Sequence, residues 1–211
     1  NVAASCEKIL QEIRNLQRSE IQEAGEGFDI KKQVGSSTMA HKKNPIKSEN
    51  ASGLARIVRS MIIPTYENAL LWHERDLANS SSERFTLSHG SALCEDVINK
   101  TRQVLTNMWV DADRCLENIK SQRGLVMAEK VMIELVEHGI PRDEAHEILR
   151  SASFEAVDKK IELIDVCSRT PEIAAAFSAE ELEAMFDPMN HIGVSGEIVD
   201  EAVNLARLAV Q

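Results

Sequence analysis

The chain has 211 residues, 43% of them hydrophobic, 27% charged and 4% aromatic, with a formal net charge of −10 at pH 7. The length allows one large domain or two small ones, and the apolar fraction excludes a disordered or low-complexity chain. No run approaches eighteen apolar residues, which excludes a membrane span, and NVAASCEKIL has no basic region ahead of a long apolar one, which excludes a signal peptide.

Taken in chain order, the residues predict helix nearly throughout. Ile9, Leu10, Ile13 and Leu16 recur at three- and four-residue spacing and predict an amphipathic helix over about 3–24, stopped by Gly25 and Gly27. Residues 26–45 read as a long, basic loop, a kind of segment that often carries function. A second helix starts near Ile46, with Leu54, Ile57, Val58, Met61 and Ile62 as its apolar stripe, and Pro64 should kink or break it. Ser80–Ser82 offer hydroxyls to cap a long helix that carries Leu87, Leu93, Val97, Ile98 and Val104 to about residue 108. Asp111 caps a shorter helix. Then follow GLVMAEKVMIELVEHG, closed by Gly139, PRDEAHEILRSASFEAV, opened by Pro141, and SAEELEAMF, where Ser178 and Glu181 have capping-box spacing. A last helix runs from near Ser195 through Ala206. With no useful alternating pattern and no repeat, the expected fold is all-α: long helices over 1–108, then a bundle of shorter ones over 109–211.

The charge is uneven. Residues 1–110 hold 14 basic and 13 acidic side chains, and residues 111–211 hold 10 and 21. Between Lys31 and Arg59 seven basic residues face one acid, Glu49. A basic patch in an acidic chain suggests a small anionic partner. Sparse aromatics and the acidic total argue against nucleic acid. The four cysteines, Cys6, Cys94, Cys115 and Cys167, form no CxxC pair and no HExxH is present, so the metal signal is weak. They read as reduced residues of a cytoplasmic protein.

Chemistry concentrates in GSSTMAHKKNP, Gly35 to Pro45. A serine acts as a base only if its alkoxide is stabilised. Lys42 supplies positive charge, loop N–H groups supply donors, and Asn44 can orient a carboxylate. This string resembles the signature loop of the fumarase/aspartase superfamily, usually GSSxMPxKxNP, with Ala40 in place of the usual Pro. LQRSEIQE before the loop, NPIKSEN after it and WHERDLANSSSER downstream resemble the adenylosuccinate lyase family, and the resemblance covers the whole chain. It implies the second half of a central helical-bundle domain (1–108, with the signature loop at 33–45) followed by a smaller helical C-terminal domain (109–211).

The resemblance also implies a lyase of purine nucleotide synthesis, a homotetramer without cofactor, that releases fumarate by β-elimination from succinylated nucleotides. It makes Ser36 the general base that takes the Cβ proton. Lys42 and Asn44 hold the carboxylate that becomes fumarate, with Ser37 and Met39 also at the substrate. Glu49 orients a catalytic histidine, and Arg75, Ser80 and Arg84 hold the substrate's phosphate and nearby polar groups. Read without the family, Arg75 and Arg84 would be surface partners of Glu74 and Glu83. None of the six histidines, His41, His73, His89, His138, His146 and His191, matches the family's general acid, so the chain alone is expected to be inactive. The alternatives are another superfamily member, such as a 3-carboxy-cis,cis-muconate cycloisomerase, and a helical scaffold without chemistry.

Overall fold

A computed structural model describes residues 1–28 and 42–210. The described residues are overwhelmingly helical, as the periodicity predicts. They divide into two units, Asn1–Cys115 and Leu116–Gln211.

The first unit is built on three long helices, α1 (Val2–Leu16), α2 (Ile46–Ser60) and α4 (Ala78–Asn107), which pack against one another, with short α3 (Ile62–Glu67) against α4. Its core is narrow. Leu10 and Ile13 meet Ala51 and Val104 in one cluster, and Ala3, Ala55 and Val97 meet in another. Small side chains let the helices approach closely, as interior packing at near-crystalline density requires. This corrects the stripe expected for α2. Its buried face is Ser48, Ala51, Ser52 and Ala55, while Ile57 and Ile62 are 49% and 54% exposed. On α4 likewise, Val97, Thr101 and Val104 are buried, and Leu87 and Ile98 lie at the surface.

Two boundaries and one pairing differ from expectation. Helix α1 ends at Leu16, well before the glycines. The next residues, Gln17-Arg18-Ser19-Glu20, have no apolar face to bury, and at Gln22 the chain turns to φ 58°. Ala24–Gly25 (β1) then pairs antiparallel with Trp109–Val110 (β2), a contact too short to show as alternation. A Cβ on Gly25 would lie 2.6 Å from the Trp109 ring, so glycine is what lets these two segments meet. The start of α4 is set by Asp76 rather than a serine: its carboxylate accepts the Ala78 and Trp72 N–H groups at 2.8 and 2.9 Å. Those bonds hold the Asp76 carboxyl below its ordinary pKa. The break near Pro64 is as expected. Helix α2 stops at Ser60, and Pro64 sits in the first turn of α3, where its missing N–H costs nothing.

Helix α5 (Ala112–Ser121) starts at Asp111, whose carboxylate accepts the Arg114 N–H at 2.9 Å. The second unit packs α6 (Ala128–Glu137), α7 (Arg142–Lys159), α8 (Leu163–Cys167), α9 (Pro171–Ala176) and α10 (Ala179–Phe186) around one core that includes Leu135, Leu149, Leu163, Val166, Ile173 and Leu182. Gly139, at φ 91°, ends α6, with the Ile140 N–H returning to the Leu135 carbonyl. The capping box of α10 is complete: Glu181 donates its N–H to Ser178 Oγ and accepts the Ser178 N–H. Helix α11 (Ser195–Val210) follows, and every residue in it is exposed. All four cysteines are free, and Cys167 is fully buried. Among the described residues no helix is long and apolar enough to cross a membrane.

Candidate active site

Ser36, Ser37 and Met39 lie outside the described residues, as do Ala40 and His41. Residues on either side of that stretch line one cleft, which frames the candidate site.

Lys42, Asn44 and Glu49 line one cleft of about 1090 Å³ at the end of the bundle where α1 stops and α2 begins. Arg14, Arg18, Lys43 and Arg114 line it too, against Glu26 and Asp111. The two acids other than Glu49 are engaged in holding backbone: Asp111 caps α5, and Glu26 caps α2. Arg114 braces the wall by donating from Nε to the Ile21 carbonyl at 3.0 Å. The ammonium of Lys42 is exposed and makes no ion pair among the described residues. The cleft is therefore locally cationic in a chain of net charge −10, the arrangement that concentrates small anions.

Sequence reasoning missed Glu26. It is 4% exposed, yet its carboxylate accepts the Lys47 N–H at 3.1 Å, the Ser48 N–H at 2.9 Å and the Ser48 hydroxyl at 2.9 Å. These N–H groups are first-turn donors that no intrahelical carbonyl can reach. Pro45, the residue before α2, has no side chain to satisfy them. The available signal was a helix opening on Asn-Pro-Ile with no local cap. The cap comes from twenty residues upstream, which spacing alone does not reveal. Gln17 completes the frame, accepting the Glu26 N–H at 2.9 Å and donating to the Lys43 carbonyl at 2.9 Å.

Arg75, Ser80 and Arg84 are placed elsewhere and do not line this cleft. Arg75 is exposed in the turn before α4, and Ser80 and Arg84 lie on successive turns of α4. Neither arginine ion-pairs among the described residues, and Glu83 instead accepts from Asn79 at 3.0 Å. The pairing with Glu74 or Glu83 that the bare sequence allowed is thus not formed. Helix α4 runs antiparallel to α2. Lys100 meets Asn50 near the start of α2, and Met61, just past its end, lies against Gly90. Arg84 and Lys100 are sixteen residues apart on one helix, so roughly 24 Å separates them along its axis. The two halves of the expected site lie at opposite ends of the bundle within one chain.

Three of the histidines, His89, His138 and His191, make local contacts. His191 Nε2 lies 2.7 Å from the Met185 carbonyl, and His138 Nδ1 lies 2.9 Å from that of Glu134 while its ring meets Phe177 edge-on. His89 stacks on Phe85. Among the described residues no cluster of His, Cys, Asp and Glu has metal-site form.

Residues 124–202 match the family model described as the adenylosuccinate lyase C-terminus, and residues 1–60 match the one described as lyase. The adenylosuccinate lyase of Archaeoglobus fulgidus is 42% identical over 203 residues, covering 96% of this chain and 46% of that protein. That of Streptococcus mutans is 36% identical over 200 residues. Among solved structures, a 3-carboxy-cis,cis-muconate lactonizing enzyme from Pseudomonas putida superposes with a TM-score of 0.83 at 30% identity, covering 96% of this chain and 44% of that one. A fumarate lyase from Mesorhizobium sp. BNC1 gives 0.83 at 28%. The chain spans about half the length of the relatives it matches. With family matches in both units, described residues that are mostly helical and the sequence GSSTMAHKKNP, the chain belongs to the adenylosuccinate lyase family of the fumarase/aspartase superfamily.

Proposed function

We propose that this chain is the C-terminal portion of an adenylosuccinate lyase, residues 1–108 closing a central bundle and 109–211 forming the C-terminal domain. The complete protein cleaves adenylosuccinate to AMP and fumarate, and SAICAR to AICAR and fumarate. The observation that carries the reading is the pairing of Lys42 and Asn44 in a cationic cleft beside the start of α2. Ser36 takes the proton from Cβ, the C–H electrons become the new C=C bond, and the C–N electrons leave on nitrogen. A histidine outside these 211 residues protonates that nitrogen, and Glu49 orients it. Lys42 and Asn44, with Ser37 and Met39, hold the carboxylate next to the carbanion. Negative charge develops there in the transition state, so a fixed cation lowers the barrier. Arg75, Ser80 and Arg84 take the phosphate, for which an arginine fork is well shaped.

Opposite ends of one bundle cannot reach one small nucleotide. The complete site therefore draws Lys42 and Arg84 from different copies in a homotetramer, and the surface residues Ile62, Ile63, Tyr66, Phe85 and Leu87 are the apolar area such an assembly would cover. The chain on its own is inactive, and the working protein is cytoplasmic. The muconate cycloisomerase reading is weaker because that likeness is 30% identical against 42% for the lyase. A scaffold without chemistry is weaker because Ser36, Lys42 and Asn44 are all retained.

The test uses the complete polypeptide that carries these residues, followed by purine absorbance. Ser36→Ala should lower kcat by roughly 10³-fold, in the range for loss of a general base. Arg84→Ala should raise KM for the nucleotide by about tenfold or more, as for a lost charged hydrogen bond. Subunits carrying Ser36→Ala mixed with subunits carrying Arg84→Ala should regain part of the activity. Turnover of a non-nucleotide tricarboxylate with none of adenylosuccinate would reverse the assignment.

A further inference from the structure

The most unusual buried group in the first unit is Glu26. Four side chains are buried polar or charged among the described residues, and it is the one that is ionisable. A carboxylate in such a place is tolerated only when its oxygens are bonded. Both are: Oε1 accepts the Lys47 N–H, and Oε2 accepts the Ser48 N–H and hydroxyl. The chain spends these bonds on one place, the first turn of α2, where a negative group also meets the positive end of the helix dipole. Ser48 is fully buried, and its own carbonyl accepts the Ser52 hydroxyl at 2.7 Å, so the anchor continues into the bundle.

The backbone of the same residue is fixed as well. The Glu26 N–H donates to Gln17 Oε1, and Gln17 Nε2 donates to the Lys43 carbonyl, which lies between Lys42 and Asn44. One buried residue and one amide thus tie the end of α1, the residue between the two carboxylate-binding side chains, and the turn that presents Glu49.

We propose that Glu26, with Gln17 as its partner, is a positioning residue of this site: it fixes Lys42, Asn44 and Glu49 relative to one another by clamping the segment before α2 and the first turn of α2 to the end of α1. It touches no substrate. This rests on the functional reading above, because positioning is defined by what Lys42 and Asn44 do. A displacement of about 1 Å in a group that stabilises charge can cost about 100-fold in rate.

The experiment grades the clamp in the complete polypeptide. Ser48→Ala removes one bond, Glu26→Gln keeps the shape and turns one acceptor into a donor facing an N–H, and Glu26→Ala removes everything. For each variant, kcat and KM are measured per folded protein, and amide exchange is followed at Lys47 and Ser48. The expected order of loss in kcat is Ser48→Ala at about twofold, Glu26→Gln at about tenfold and Glu26→Ala at about 100-fold. Exchange at both amides should rise in the same order, while α4 exchanges as before. A purely structural role would lower the melting temperature and the folded yield and leave kcat per folded protein alone, and that result overturns the proposal. Unchanged exchange at Lys47 and Ser48 in Glu26→Gln also overturns it, and the isosteric change keeps that outcome readable if Glu26→Ala does not fold. A wild-type protein without lyase activity defeats the functional reading, and with it the positioning role. Exchange that still rises in that case shows that the clamp exists and that the error lies in the chemistry assigned to it.

Discussion

At the scale of single residues, burial and backbone conformation set measurable properties. Burial pushes the Cys167 thiol up to about 12, because the thiolate would be desolvated in the core of the second unit. The folded state therefore holds its proton more tightly than the unfolded state, whose thiol ionises near the ordinary 9.0. Stability from this group is fully present below pH 9 and is lost as pH rises from there toward 12. The melting-temperature gap between the wild type and Cys167→Ala should narrow over that window and stay flat below it. Gly124 is constrained in another way. At φ 77° it opens a short 3₁₀ turn, and a Cβ there would lie 2.8 Å from the Phe186 ring. Gly124→Ala should destabilise the second unit by roughly 2 kcal/mol, from left-handed strain plus ring displacement, as chemical denaturation would show. Glu181 has its carboxyl held below the ordinary value by the Ser178 backbone N–H, so the α10 cap is intact above that range and weakens as the solution is acidified through it. Ser178→Ala should cost about 1 kcal/mol by the same measurement near neutral pH.

At the scale of elements, helices were legible where one local rule governs them. The capping box at Ser178 and Glu181, the stop at Gly139, the cap at Asp111 and the break by Pro64 each depend on a few neighbouring residues, and each is present. What periodicity could not give was the choice of buried face. Helix α2 offers both a large apolar stripe and a small one, and the interior takes Ala51 and Ala55 because three helices close on them from short range. The two-residue pairing of β1 with β2 and the cap supplied by Glu26 join positions far apart in sequence, so no window could show them. For the candidate site, the residues proposed to bear chemistry come from two strings, GSSTMAHKKNP and WHERDLANSSSER, and their spatial separation was not readable from either. Lys42 and Arg84 are divided by the antiparallel run of α4 against α2. In the second unit, Leu135 is fully enclosed by the core cluster, and Leu135→Ala should cost about 3 kcal/mol in denaturant titration, whereas Val157→Ala, at an exposed site, should cost little.

At the scale of the whole molecule, two separately packed units have different kinds of interior. The second is a single broad cluster of large side chains, and the first is two small clusters between long helices. Calorimetry of the 211-residue chain should give two transitions rather than one, with the first unit melting at the lower temperature, since less apolar area is removed from water there. Helix α11 is the last element of the second unit. Each of its sixteen residues is exposed, and a helix of that length with little packing is marginal in water. A dilute protease should therefore nick the chain first between Ser195 and Val210, leaving α6–α10 uncut, and the final segment should lose its circular dichroism signal on gentle warming while the rest of the polypeptide is still native.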